Sequence, residues 1–359
     1  MTEITKEVSN KIANMGFLCA CLVVFIHCPK STSAMEGVTL VRLFHSVFPG
    51  ALSSMANAFF FTVAGFFLAG HVFEGGWWKV EVRKRFYSLF IPYVILNLCW
   101  FACQAVYQWP NIRFGATAHP FEWLDILRAL GFYGWGIPAN GPLWFVRTLL
   151  LLVITFPIYA VILKRGARAA WSLVVMLFSL YIILDGFIHP SGFWSKVFVS
   201  STYYRFWTIG YFCLGATLRL YVKRLRLKPM VGLLLLFIGM TISSYLNLTR
   251  VELDIQETGL RWLLYCLSCP LMMVGVWSIV SEKTWPKVFT GNAFPIYALH
   301  WPLIMLSYIV CSKTHTHDLI FGNLFFSVLY ISLVVIVTIF AAIIIRKQRV
   351  LFKLLLGGR

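Results

Sequence analysis

Apolar stretches of about 20 residues alternate along this chain with short polar segments in which Lys and Arg cluster. A helix of that length is long enough to span the hydrocarbon core of a lipid bilayer. The pattern therefore predicts an all-α fold, a polytopic membrane helix bundle of about ten transmembrane helices within a single membrane domain over residues 1–359, with no separate soluble domain. The predicted spans are approximately 12–29, 51–71, 86–108, 142–163, 169–189, 201–221, 230–248, 260–281, 293–312 and 320–345.

Composition and charge agree with a membrane protein. The chain is 60% hydrophobic and only 12% charged, whereas soluble proteins carry about 25% charged residues. The net charge of +18 does not indicate a nucleic acid partner, because most of the basic residues lie in alternate short loops between spans. Under the positive-inside rule, that distribution predicts that both termini are cytoplasmic. The lipid bilayer is thus the expected environment, and we expect no nucleic acid partner.

The first span contains an ionisable side chain, His27, near the end of the apolar stretch Ile12 to Cys28. Ionisable residues in membrane spans are rare, and each is a functional-site hypothesis by default. Gly16, Ala20, Val23 and Val24 lie on the same helical face, and small residues favour close helix packing. We expect this face to point into the bundle and to place His27 there. The alternative is a histidine at the membrane interface with no function.

Two later spans also contain polar residues. Arg147 follows Trp144 by three positions, so both side chains share a helical face, and Asp185 in the next span is the predicted partner of Arg147. His300 follows Tyr297 in the same way, and both are candidate catalytic residues. The structural alternatives are a buried ion pair for Arg147 and Asp185, and a buried hydrogen bond between Tyr297 and His300.

A basic cluster, Arg83-Lys84-Arg85, lies at the predicted cytoplasmic end of the third span. It either anchors the topology or binds a phosphate-bearing ligand from the cytosol, a task suited to the bidentate guanidinium group of arginine. Nucleotide-binding, serine-hydrolase and metalloprotease motifs are absent from the sequence, and the nine cysteines have no zinc-ligand spacing. We therefore expect no metal.

Two outer segments complete the pattern. The segment of about 109–141 is the longest predicted outer loop, and long ordered loops tend to be functional. The segment 249–259 contains three acidic residues and is predicted to form part of an outward-facing polar rim.

Five segments, taken in order, resemble the acyltransferase 3 family of bacterial membrane acyltransferases. They are VVFIHC ending at Cys28, FFFTVAGFFLAG at 59–70, RKRFYSLFIPY at 83–93, GPLWFVRTLL at 141–150 and IYALHWPLI at 296–304. The resemblance implies transfer of an acyl group, usually acetyl, from cytosolic acyl-CoA to a hydroxyl of an envelope glycan or related acceptor. It also implies a multi-pass protein of the bacterial inner membrane.

The resemblance also implies roles for individual residues. It assigns the essential first-span histidine to His27, the donor side to the basic cluster with Arg83 and Arg85, and signature positions to Trp144 and His300. Two positions depart from the family pattern: Gly16 stands where an arginine is common, and Ala64 where a serine is usual. Lys11 is the nearest basic residue before Gly16. These departures suggest a divergent subgroup with altered donor binding.

The residues permit a mechanism in which His27 acts as general base on an acceptor hydroxyl that attacks the thioester carbonyl. An acyl-imidazole intermediate on His27 is an open alternative. A different class of function is a proton-coupled transporter or flippase that uses His27, Arg147, Asp185 and His300 as a proton relay. The lack of a visible internal repeat argues against a transporter. A membrane sensor or scaffold is a third reading.

Overall fold

The computed structural model describes residues 4–30, 39–114, 117–133, 136–188, 205–222, 227–252 and 259–358. Ten long helices account for most of them, and they correspond one by one to the ten predicted spans. Their bounds are α1 Lys6–His27, α2 Leu40–Ala69, α3 Trp77–Gln108, α4 Gly141–Leu163, α5 Ala167–Ile188, α6 Phe206–Tyr221, α7 Pro229–Glu252, α8 Gly259–Ile279, α9 Ala293–Lys313 and α10 Leu324–Lys347.

Within the described residues, nine of these helices are long and apolar enough to cross a membrane, and α6, with 16 residues, is the shorter tenth. The prediction of an all-α polytopic membrane bundle is confirmed. In the part of the chain that the structure describes, four short helices lie outside the spans: Leu124–Ala129, Lys287–Thr290, His317–Phe321 and α11, Arg349–Leu356.

Two predicted boundaries were wrong. α2 begins at Leu40 rather than near residue 51, because a π-helical segment, Ser46–Leu52, carries the helix past Pro49. π-type turns absorb the irregularity that proline introduces into a helix. α3 begins at Trp77 rather than near residue 86, and it too contains a π segment, Phe86–Phe90. The basic cluster therefore lies within a continuous helix.

The predicted outer loop contains a small antiparallel hairpin. β1 Asn111–Phe114 pairs with β2 Thr117–Pro120, with Asn111 opposite Pro120. Buried Ile112 packs with Phe101 of α3 and Ala129 of the short helix. The loop thus packs against the end of α3 that precedes it, and it has regular structure of its own.

Helices α2 and α6 pack against each other at very short range. A Cβ atom at Gly65 would lie 1.9 Å from the Phe212 carbonyl oxygen, and one at Gly215 would lie 1.8 Å from the Thr62 carbonyl oxygen. Small residues are what allow membrane helices to approach this closely. The crossing places α2 against the middle of the bundle, where its second half lines a cavity described below.

We expect Gly215→Ala to destabilise the protein by at least about 1–3 kcal/mol, because the added methyl group forces two backbones apart. Thermal unfolding of the detergent-solubilised protein measures the effect. Gly16→Ala is the matched control, since its Cβ would meet only the Phe59 ring, at the ordinary van der Waals distance of 4.0 Å. Equal unfolding temperatures for the two variants would contradict the close crossing.

Candidate active site

His27 is the last residue of α1, and its ring packs against two aromatic rings of α9. The centroid of the His27 ring lies 5.3 Å from that of His300 and 5.1 Å from that of Trp301. The face of α1 that contains Gly16, Ala20, Val23 and Val24 is buried, as predicted. The fold therefore brings together two histidines that the sequence presented as separate candidates.

The backbone of α9 fixes the tautomer of His300, which is completely buried. Nδ1 lies 3.0 Å from the carbonyl oxygen of Ile296 and 2.8 Å from that of Tyr297. Carbonyl oxygens only accept hydrogen bonds, so Nδ1 donates and the neutral ring keeps its lone pair on Nε2. Nε2 is buried without a hydrogen-bond partner among the described residues. Nε2 is therefore an acceptor that a proton donor entering the site can reach without breaking an existing hydrogen bond.

Tyr297 connects α9 to the beginning of α4 rather than to the His300 side chain. Its hydroxyl donates a hydrogen bond to the carbonyl oxygen of Pro142. Beside this contact, a Cβ on Gly141 would lie 3.4 Å from the Trp301 ring, and the Asn140 amide lies 3.5 Å from the Ala298 carbonyl oxygen. The end of the outer loop is therefore bound to the helical turn that holds His300.

Arg147 is buried, and its guanidinium binds the outer loop. Nη1 donates to the carbonyl oxygens of Gly131 and Gly136, and Nη2 lies 3.3 Å from the Gly136 oxygen. Gly131 has φ +63° and no room for a side chain beside Arg147. These contacts hold Gly131 and Gly136 of the outer loop against the start of α4. The predicted pairing with Asp185 remains a prediction, because that side chain lies outside the described residues.

A cavity of about 360 Å³ opens between the second half of α2, the start of α9 and the basic cluster. Its lining is apolar except for the guanidinium of Arg85 and the hydroxyl of Tyr297. Of the three predicted donor-binding residues, Arg83 and Lys84 are exposed and do not line it. We call this space the inner cavity, because Arg85 belongs to a predicted cytoplasmic cluster.

A second cavity, of about 430 Å³, lies at the opposite ends of the helices and is called the outer cavity. It is lined by Ile26 and Lys30, on either side of His27 in the chain, and by Trp144. Phe145, the next residue after Trp144, lines the inner cavity instead. Adjacent residues at the start of α4 thus line different cavities and form part of the wall between them. The histidine pair lines neither cavity, but it packs near this wall, because the ring of Tyr297, one helical turn before His300, contacts the Phe145 ring.

Sequence reasoning missed several residues of this region. The Trp301 ring contacts the His27 ring, although in the sequence Trp301 stood out only as the residue that follows His300. Lys30, Arg205 and Arg261 line the outer cavity. Their only signal in the sequence was their position, since they are basic residues in segments that the positive-inside rule expects to be poor in them.

A charged cluster stabilises the outer loop. His119, Glu122 and Asp125 place potential ligand atoms within 4.8 Å of one another. The Arg128 guanidinium already binds this cluster, with Nη1 2.6 Å from Asp125 and 3.3 Å from Glu122. The hydrogen bond that Arg128 donates to the Asp125 carboxylate raises the pKa of Arg128, so this arginine stays charged. The cluster therefore forms an ion-pair network within the loop.

The structure locates both departures from the family pattern. Ala64 lines the inner cavity. Gly16 is buried, and Lys11, the nearest preceding base, donates 3.0 Å to the Trp277 carbonyl oxygen and lies 3.5 Å from Glu282. Lys11 is not in the lining of the inner cavity. It therefore holds α1 against the end of α8.

The chain matches the family model acyltransferase 3, described as an acyltransferase domain, over residues 14–347. The matched range includes both histidines and the lining of both cavities. No curated protein and no solved structure matches the chain.

Proposed function

This chain belongs to the acyltransferase 3 family, and on that premise we propose that it moves an acyl group, acetyl in the first instance, from cytosolic acyl-CoA to a hydroxyl of an envelope glycan or related acceptor. The reaction takes place in the bacterial inner membrane, with His27 as general base. The observation that carries the proposal is the His27–His300 pair, 5.3 Å between ring centroids, near the wall between two cavities. Family membership favours this chemistry over a proton-coupled transporter or flippase.

The inner cavity suits an acyl-CoA donor. The cavity is lined by both Arg85 and Tyr297, and Tyr297 precedes His300 by one helical turn. In the proposed complex, the guanidinium of Arg85 binds the nucleotide phosphates of the donor with charge-assisted hydrogen bonds, and the pantetheine arm extends toward Tyr297. Apolar walls deeper in the cavity exclude water from the thioester.

The acceptor approaches from the outer cavity, on the His27 side of the wall. His27 takes the proton of the acceptor hydroxyl while its oxygen attacks the thioester carbonyl. The carbon–sulfur bond breaks, the ester forms, and the CoA thiolate takes up a proton as it leaves. His300, with its lone pair on Nε2, orients the His27 ring and shares the proton that His27 acquires.

Acyl transfer by the purified protein tests the proposal. The detergent-solubilised protein is incubated with isotopically labelled acetyl-CoA and an isolated envelope glycan fraction from the host bacterium. We expect labelled ester to appear in the glycan together with free CoA. Labelled acetyl-CoA that remains intact, while a glycan or lipid-linked solute accumulates in proteoliposomes, would contradict acyl transfer and support transport.

Substitutions of two neighbouring basic residues should differ in their effect on donor binding. Arg85 and Lys84 both pair with Glu81, at 3.3 Å and 3.6 Å, but only Arg85 lines the inner cavity. We expect Arg85→Gln to raise the KM for acyl-CoA by about 10-fold, which corresponds to one charge-assisted hydrogen bond. Lys84→Gln is the matched control and should leave that KM within about 2-fold. Steady-state kinetics at saturating acceptor provide the measurement, and equal KM values for the two variants would refute this role for Arg85.

A further inference from the structure

The outer cavity has an unusual lining for a space that opens on the outer side of a membrane protein. Three tryptophans and three basic residues contribute to its wall: Trp144, Trp207, Trp262, Lys30, Arg205 and Arg261. No carboxylate lines it among the residues that the structure describes. Aromatic faces and a few placed polar groups are typical of sites for small ligands, and the excess of one charge selects the sign of the ligand.

Arg261 illustrates how this charge is presented. Its Nη2 lies 3.0 Å from the carbonyl oxygen of Leu246, so α8 is bound to the end of α7. A carbonyl oxygen fixes the position of a guanidinium but does not neutralise its charge. The group is therefore held at the cavity wall with hydrogen-bond donors in a fixed fork, the geometry that suits a carboxylate or a phosphate.

Lys30 brings positive charge close to the reacting centre. It is exposed, and it follows His27 by three residues. Three residues of chain span at most about 10 Å. An anionic group bound by Lys30 is therefore close to the hydroxyl that His27 deprotonates. The distance between these two groups of the acceptor corresponds to about one or two sugar rings.

From these observations we infer that the acceptor is anionic: it carries a carboxylate or phosphate that binds Lys30, Arg205 and Arg261 in the outer cavity. The acylated hydroxyl is on the same sugar as that anionic group or on the adjacent one. This inference rests on the proposed function, because it identifies the class of acceptor that enters the outer cavity.

The position of the ester in the cell envelope tests the inference. Envelope glycans from cells with and without the protein are isolated, and mass spectrometry locates the ester that depends on the protein. We expect that ester on repeat units with a uronic acid or a phosphate substituent, and the fragment masses distinguish these two sources of charge. An ester confined to neutral glycans would overturn the inference and leave the proposed function intact. If no ester depends on the protein, the proposed function fails, and the inference fails with it.

Kinetics of charge variants provide a second test. With purified protein, acetyl-CoA and the isolated acceptor, we expect Lys30→Gln to raise the acceptor KM about 10-fold. The KM for acetyl-CoA should not change. Lys30→Arg should retain most of the affinity, because it keeps the charge. Raising the ionic strength to 0.5 M should weaken acceptor binding by the wild type more than by Lys30→Gln, since salt screens exposed charges.

Lys313→Gln is the matched control for this series. Lys313 is exposed at the end of α9, where its Nζ lies 5.3 Å from the Tyr107 ring, and it does not line the outer cavity. The substitution removes the same charge from the same predicted side of the membrane. If Lys30→Gln and Lys313→Gln gave the same acceptor KM as the wild type, the inferred anion site would be wrong.

Discussion

His27→Ala should lower the rate of acyl transfer by a factor of about 10²–10⁴, the contribution that a positioned general base makes to proton transfer. The ring lies at the end of α1, against His300 and Trp301, beside the wall between the two cavities. Its neighbours in the chain, Ile26 and Lys30, line the outer cavity, from which the acceptor is proposed to approach. The measurement is kcat with labelled acetyl-CoA and the isolated acceptor.

His71→Ala is the matched control for this substitution. His71 is exposed and pairs only locally, 3.0 Å from Glu74, so its loss should change kcat by less than about 2-fold. Size-exclusion profiles and unfolding temperatures establish that both variants are folded. A folded His27→Ala protein with the wild-type rate would remove the proposed mechanism, whether transfer is direct or passes through an acyl-imidazole.

The second large effect is expected from His300→Ala, which should lower kcat by about 10²-fold. His300 does not reach either cavity lining, so we assign it a positioning role that acts through His27. Its loss removes the neighbour that holds the His27 ring and shares its proton. The KM for acyl-CoA should stay near the wild-type value, because the inner cavity keeps its shape.

If His300 served only to stabilise the fold, we would expect a different outcome. In that case the His300→Ala variant would unfold at a lower temperature but keep an unchanged dependence of rate on pH. We expect instead that the pH at which kcat/KM is half-maximal shifts, because the partner of the base has changed. Tyr297→Phe is a useful comparison, since it removes the hydrogen bond to Pro142 but retains both imidazoles. It should cost about 1 kcal/mol of stability and leave the pH profile unchanged.

The combination of His27 and His300 was beyond what the sequence could predict. Each residue was recognisable alone, since an imidazole surrounded by apolar side chains stands out in a span. Their contact depends on how α1 packs against α9, at the other end of the chain. Tyr297 was predicted as the partner of His300, but helical spacing alone did not reveal that its hydroxyl binds Pro142.

For the basic residues, too, the sequence identified candidates but did not show which of them meet in a cavity. Sequence grouped Arg83, Lys84 and Arg85 as one donor-binding cluster, because three adjacent cations at a predicted cytoplasmic end look equivalent. On a helix, adjacent residues point about 100° apart, and only Arg85 points into the inner cavity. On the outer side, Lys30, Arg205 and Arg261 are far apart in sequence and meet only where the ends of α4, α5, α6, α7 and α8 converge with the end of α1.

Three properties of this protein could be predicted from its amino-acid sequence: the multi-pass helical fold, the buried face of α1 and the candidate histidine at position 27. These properties follow from the free energy of transferring each segment into a bilayer. That free energy is local, because it depends on the length of the segment and the polarity of its side chains. The histidine pair, the binding of Arg147 to the outer loop and the two cavities depend instead on how the helices pack. Helices in lipid associate through close packing and a few interhelical hydrogen bonds, as at Gly65 and Gly215, and these pairings leave no local pattern in the sequence.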